Sequence, residues 1–217
     1  MLNARLAAAA VAVIVSVVSP WALSAQTARA PRIVALGDSL TSGHGIGTAQ
    51  AYPVFLQAQL AAAGYTYQVV NAGISGDTSS GAVRRLAQAL RGDVRVLIVA
   101  IGANDGLRGV PVATVKSNLI RIIETAHARG ISVVLCGMEA LPNYGREYSL
   151  AFHEAYRDVA AQFRVSFVPF LLQDVITNPA MLLPDRAHPN PAGARRIADN
   201  IWPYLEVVVR ALAAQRQ

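Results

Sequence analysis

The sequence predicts an α/β fold, a three-layer domain built on a mainly parallel sheet. Short, continuously apolar runs recur through the chain and alternate with segments of helical character. The runs do not alternate apolar with polar, so they suit strands covered by helices on both faces. Loops rich in Gly, Asn, Asp and Ser follow three of the runs directly, at residues 37–39, 71–76 and 102–105. Ligands of open parallel sheets gather beyond the carboxyl ends of the strands. These three loops therefore mark one site.

The first strand is expected over residues 33–36, Ile-Val-Ala-Leu, stopped by Gly37. The others follow at 67–71, at 94–101, at 131–136, ending in Cys136, and at 165–168. Helices are expected between and after them, over 52–63, 79–90, 112–129, 149–162 and 191–212. The third helix has the clearest pattern. Val112, Val115, Leu119, Ile122 and Ala126 recur every three or four residues as one apolar stripe, and Gly130 can close the helix in a left-handed turn. No repeat or low-complexity linker interrupts residues 31–210, so 31–213 reads as one domain, in keeping with a length of 217 residues.

The first 25 residues are set apart from that domain. Arg5 is followed by an apolar or small run from Leu6 to Val18 and then by Ser19-Pro20-Trp21-Ala22-Leu23-Ser24-Ala25. This is the pattern of a secretory signal peptide over residues 1–25. The run is about 13 residues, short of the roughly 18 expected of a membrane span, so no stable membrane insertion is expected after cleavage. A retained anchor is the alternative. Without residues 1–25 the chain has 18 basic and 13 acidic residues, and the net charge falls from +6 to +5. Lys116 is the only lysine, and no basic run exceeds two residues. No aromatics interleave with them as a stacking platform, so nucleic acid is not an expected partner. Cys136 is alone, which excludes an intramolecular disulfide; its apolar run reads as a buried strand with an inert thiol.

The candidate chemistry is nucleophilic acyl transfer. Ser39, in Gly37-Asp38-Ser39-Leu40, leaves the first strand behind a glycine that relieves crowding. A serine needs a base within hydrogen-bond reach. Ser75, in Gly73-Ile74-Ser75-Gly76, competes for the role, and neither serine has the full G-x-S-x-G pattern. Among four histidines, His127 and His153 fall in expected helices and His44 in a glycine-rich loop. His188 stands out: Pro189 biases it away from helix, and Asp185, three residues earlier across a turn, can accept its imidazole N–H. Gly73 can offer an unobstructed backbone N–H and Asn104 a side-chain amide to a developing oxyanion, each donor worth about 3–4 kcal/mol. Asp105 reads as a brace for its loop. Other chemistries fail: the 43–47 glycines lack the dinucleotide pattern, the lone lysine excludes a P-loop, and His153-Glu154 lacks the second histidine of a zinc protease.

With these residues laid out, the chain resembles the SGNH, or GDSL, hydrolase family from Ile33 to about Leu212. Four blocks occur in the family's order: Gly37-Asp38-Ser39-Leu40, Asn71-Ala72-Gly73-Ile74-Ser75-Gly76-Asp77-Thr78, Gly102-Ala103-Asn104-Asp105, and Asp185-x-x-His188-Pro189. Gly106-Leu107-Arg108-Gly109, Leu141-Pro142-Asn143-Tyr144-Gly145 and the leader are similar to the family's bacterial periplasmic branch of acyl-CoA thioesterases, lysophospholipases and arylesterases. The resemblance implies a flavodoxin-like sandwich with five parallel strands. It implies Ser39 as nucleophile, His188 as base, Asp185 as its orienting partner, and an oxyanion hole of Ser39 N–H, Gly73 N–H and Asn104. It implies no metal or organic cofactor, and a periplasmic or secreted location. The expected substrate is a small-molecule acyl ester or thioester, lysophospholipids included, with Leu107, Arg108, Leu141 and Tyr144 on the substrate-facing wall. The chain departs from the branch at Ala187, where a larger apolar residue is common, and in the glycine-rich loop 43–47. Both bear on the shape of the pocket. A carbohydrate O-deacetylase of the same family and a non-catalytic envelope binding protein are the competing readings.

Overall fold

A computed structural model of the chain describes residues 30–215; the leader expected over residues 1–25 lies outside the described residues. Five strands form one parallel sheet in the order β2-β1-β3-β4-β5. They are β1 (Arg32–Gly37), β2 (Gln68–Gly73), β3 (Val94–Ala100), β4 (Ser132–Cys136) and β5 (Ser166–Val168). Each lies within two residues of its expected bounds. Among the described residues seven α-helices accompany them: α1 (Ser39–Ser42), α2 (Tyr52–Ala62), α3 (Ser79–Ala89), α4 (Ala103–Leu107), α5 (Val112–His127), α6 (Arg146–Phe163) and α7 (Pro191–Ala214). Two of these, the short α1 and α4, were not expected from periodicity, and α6 begins three residues before its expected start. A single turn of four or five residues is too short to display a period.

The apolar runs become buried strands for the reason the pattern gives. Ile33 to Leu36 and Val96 to Ala100 are fully buried, because α2 and α7 cover one face of the sheet and α3, α5 and α6 the other. In α5, Val115, Leu119, Ile122 and Ala126 are fully buried, as is Ile123, while Val112 at the start is half-buried. Burial of each large side chain stabilises by about 1.5–3 kcal/mol. Gly130 takes the left-handed conformation expected of it, at φ 67°. Cys136 is fully buried, and burial pushes its thiol well above the usual range. No helix among the described residues is long and apolar enough to cross a membrane.

The topology sets the site. β1 is flanked by β2 and β3 in register, with Gly37 opposite Gly73 on one side and Ala100 on the other. Three strand ends therefore stop at one level, and the chain leaves them in different directions. The crevice between β1 and β3 is where such a sheet reverses its winding order and where ligands of this architecture bind.

Leu119→Ala should lower the unfolding free energy by about 2–5 kcal/mol in urea denaturation, through a cavity between α5 and the sheet. Val207→Ala, at a side chain that is 63% exposed, should change it by less than about 0.5 kcal/mol.

Candidate active site

The turn from β1 into α1 is built on close approach. A Cβ at Gly37 would collide with the Thr41 hydroxyl and the Ala100 carbonyl, so no larger residue fits there. Asp38 then caps α1. Its Oδ1 accepts the Leu40 N–H at 3.0 Å and its carbonyl accepts the Ser42 N–H at 2.9 Å. Asp38 is fully buried and its Oδ2 has no hydrogen-bond partner, so burial pushes its pKa up to about 6. Ser39 follows as the first residue of α1, half-buried, its N–H free because a first-turn donor has no carbonyl behind it.

Asp185 and His188 come from a turn closed by Leu183 N–H to His188 O at 2.8 Å and Arg186 N–H to Leu183 O at 2.9 Å. Asp185 Oδ1 accepts the N–H groups of His188 and Ala187, both at 3.0 Å, and Oδ2 accepts His188 Nδ1–H at 2.8 Å. These bonds, the two backbone donors foremost, hold the carboxyl well below the usual carboxylate range. An ionised carboxylate only accepts, so Nδ1 carries the proton and Nε2 is left as acceptor. His188 Nε2 lies 3.1 Å from Ser39 Oγ, joining residues 149 apart in sequence. Ser75 is elsewhere: its hydroxyl bonds Ser42 Oγ at 2.9 Å. The ring of His44 rests against that of His188, centroids 4.5 Å apart and tilted by 46°.

Gly73 does not offer the N–H expected of it. That group donates to Asn71 Oδ1 at 2.9 Å, while Asn71 Nδ2 donates to Thr41 O at 2.7 Å, which ties β2 to α1. In the loop that follows, Ile74 N–H goes to Gly37 O and Asp77 N–H to Ile74 O. The N–H groups of Ser75 and Gly76 have no acceptor among the described residues. Gly76 is left-handed at φ 79°; Arg108 donates to its carbonyl at 3.0 Å, and Asn104 Nδ2 donates to Asp77 O at 2.9 Å. The free glycine N–H beside Asn104 is thus that of Gly76. Its signal in the sequence is the pair Gly76-Asp77, a glycine that can turn left-handed before an acid that fixes the loop.

Two braces hold these loops. Asp105, expected as a brace for its own loop, accepts Ser79 Oγ–H at 2.6 Å and Ser79 N–H at 2.8 Å and so anchors the start of α3, and its burial pushes its pKa up. Arg85 was not singled out by the sequence. Its guanidinium donates to Asp77 Oδ2 at 2.7 Å, Ala72 O at 2.6 Å and Gly37 O at 2.8 Å.

A cavity of about 460 Å³ opens onto Ser39, Asn104 and His188. Its walls are mostly apolar, with Leu40, Leu107, Met138, Leu141, Phe170 and Ile176 among them. Of the residues expected on a substrate-facing wall, Leu107 and Leu141 line this cavity. Arg108 and Tyr144 do not line it: Arg108 is on Gly76 O and the Tyr144 hydroxyl donates to Leu107 O at 3.2 Å. Phe170 and Ile176 lie beyond β5, where the sequence shows no period to place them.

The arrangement has the parts of a nucleophile, a base with an ionised orienting acid, and amide donors, at the mouth of an apolar cavity. Asp38 gives a pH prediction. Its folded pKa lies above the unfolded value of 3.8, so the folded state holds the proton longer and stability falls as pH rises through about 4 to 6. Asp38→Asn removes that dependence. The melting temperature of the variant relative to wild type should be higher at pH 7.5 than at pH 4; a constant difference would contradict the assignment.

The GDSL-like lipase/acylhydrolase family model matches residues 35–196. Esterase TesA of Pseudomonas aeruginosa is 41% identical over 185 residues, covering 85% of this chain and 92% of its own. Thioesterase 1/protease 1/lysophospholipase L1 of Escherichia coli K12 is 33% identical over 188 residues, covering 86% and 89%. The crystal structure of the psychrotrophic esterase EstA from Pseudoalteromonas, inhibited by monoethylphosphonate, superposes with a TM-score of 0.78 at 28% identity over 82% of this chain and 98% of its own. By fold, sequence and family match, this chain belongs to the GDSL-like lipase/acylhydrolase family.

Proposed function

We propose that this protein is a secreted serine esterase that hydrolyses short to medium acyl esters and thioesters, lysophospholipids included, through an acyl-enzyme on Ser39. The single observation that carries this reading is the hydrogen-bonded chain Ser39–His188–Asp185, 3.1 and 2.8 Å long, at the mouth of an apolar cavity. His188 Nε2 takes the Ser39 proton as Oγ bonds to the acyl carbon. The tetrahedral oxyanion is met by Ser39 N–H, the Asn104 amide and, in place of Gly73, the Gly76 N–H. The bond to the leaving group then breaks, the leaving group takes the proton from His188, and water attacks the acyl-enzyme by the same route in reverse. Asp185, held ionised, stabilises the imidazolium formed in each half. Secretion rests on the leader at residues 1–25, and a periplasmic location on the family resemblance.

The cavity walls favour acyl chains over carbohydrate esters. A deacetylase of polysaccharide needs polar groups to replace the water of sugar hydroxyls, and this cavity offers mostly hydrocarbon. The intact Ser39, Asp185 and His188 weigh against a binding protein without activity.

Ser39→Ala and His188→Ala should each lower kcat on p-nitrophenyl butyrate by about 10⁴–10⁶, and by similar factors, because the groups act as a unit. Turnover near wild type in either would reassign nucleophile or base. Asn104→Ala should lower kcat about 10²–10³-fold with little change in KM. Across p-nitrophenyl acetate, butyrate, octanoate and palmitate, activity maintained beyond acetate supports the acyl-chain reading, and a steep fall after acetate favours the deacetylase. Phosphonate labelling of wild type but not of Ser39→Ala would locate the nucleophile directly.

A further inference from the structure

We infer that Arg186 forms an anion subsite beside His188, which takes a phosphate carried on the leaving group of the ester or thioester. The inference rests on the reading of Ser39 and His188 as nucleophile and base. Arg186 lies in the turn between Asp185 and His188 and lines the same cavity as Ser39. Its backbone is left-handed at φ 55°, a conformation a non-glycine residue seldom adopts. The turn needs that backbone, because it aims the Ala187 and His188 N–H groups at Asp185 Oδ1. It does not need the side chain. Glycine would satisfy the turn without strain, yet the chain places an arginine there; Arg164 and Asp174 share the left-handed conformation, so what sets Arg186 apart is its place on the cavity wall.

The guanidinium is exposed and makes no hydrogen bond or ion pair among the described residues. In this it differs from the other arginines near the site. Arg85 is held by Asp77 and two carbonyls, and Arg108 by Gly76 O. The other charged side chain on the cavity wall besides the His188 loop is Glu139, whose carboxylate is already engaged by His153 Nδ1 at 2.6 Å. Among the described residues that line the cavity, Arg186 is therefore the uncommitted cation.

Stereochemistry says which part of the substrate it meets. His188 delivers its proton to the leaving atom, so the leaving group lies on the histidine side, and the acyl chain takes the apolar walls. Arg186, two residues from His188 on the same turn, stands on the leaving-group side. A planar guanidinium fork matches two phosphate oxygens and discriminates poorly among uncharged groups. Two sources share this chemistry, a glycerophosphate headgroup and the phosphates of a coenzyme A thioester.

The test compares matched pairs that differ only in phosphate: decanoyl-4′-phosphopantetheine, the thiol arm of coenzyme A with its first phosphate, against decanoylpantetheine, and 1-decanoylglycerol 3-phosphate against 1-decanoylglycerol. The ratio of kcat/KM within each pair is measured for wild type, Arg186→Gln, Arg186→Lys and Arg186→Gly. Loss of a charge-assisted pair should lower the ratio about tenfold or more in Arg186→Gln and Arg186→Gly, chiefly through KM, with Arg186→Lys keeping part of it. Arg186→Gly relaxes the left-handed backbone, so its loss of discrimination is not a loss of fold. A fall in one pair alone supports the subsite and names the phosphate source. Ratios unchanged in both pairs, or equal losses on charged and uncharged partners, overturn the subsite while Ser39-dependent turnover of the uncharged partners leaves the esterase reading standing. Absence of Ser39-dependent turnover on all four would overturn both.

Discussion

Arg85 ties together the ends of the two strands from which the site is built. At the carboxyl edge of a parallel sheet, the last carbonyls point past the strands and need donors from outside the ladder. Here one guanidinium on α3 donates to Gly37 O at the end of β1 and to Ala72 O near the end of β2, while pairing with Asp77 beyond β2. Both charged groups are mostly buried, at 19% and 11% exposure, so removal of either would strand the other in a poorly solvated place. The position of Ser39, one residue beyond Asp38 and two beyond Gly37, and the course of the 74–77 loop both follow from this fixed edge.

The carboxylates near the site divide by environment. Asp38 and Asp105 lie inside the fold at helix starts, Asp38 accepting one backbone N–H with its other oxygen unpartnered and Asp105 accepting both donors of Ser79, and burial pushes up the pKa of each. Asp185 lies in the exposed turn, with three donors converging on it, and its pKa is pushed down. The acid that faces the histidine is thus the one kept ionised. The inner acids shape the loops from which Ser39 and Asn104 project, without competing for the imidazole.

The cavity adds direction to this chemistry. Its walls come from loops after β1, β3, β4 and β5, so residues remote in sequence meet above one sheet edge. Apolar walls suit a hydrocarbon chain, and apart from Glu139 the charged and polar side chains on the wall belong to the corner held by Ser39, Asn104 and the 185–188 turn. An amphiphilic ester with its chain in the cavity and its leaving group at that turn uses every part of the surface.

The five strands, the five long helices and the turn that pairs Asp185 with His188 are legible in the order of the amino acids. Continuous apolar runs, a helical stripe and an i, i+3 acid–histidine pair are all short-range patterns that need no tertiary partner to be read. The sequence also carried the family resemblance, because the four blocks keep their order along the chain. The tertiary structure alone decided the strand order, which brings Ser39 within 3.1 Å of His188 across 149 residues. It alone showed that Gly73 spends its N–H on Asn71 whereas Gly76 keeps its own free, since which amide is free depends on acceptors contributed through space. The same holds for Arg85 and Arg186: a sequence shows an arginine, and only the fold shows whether its charge is already met.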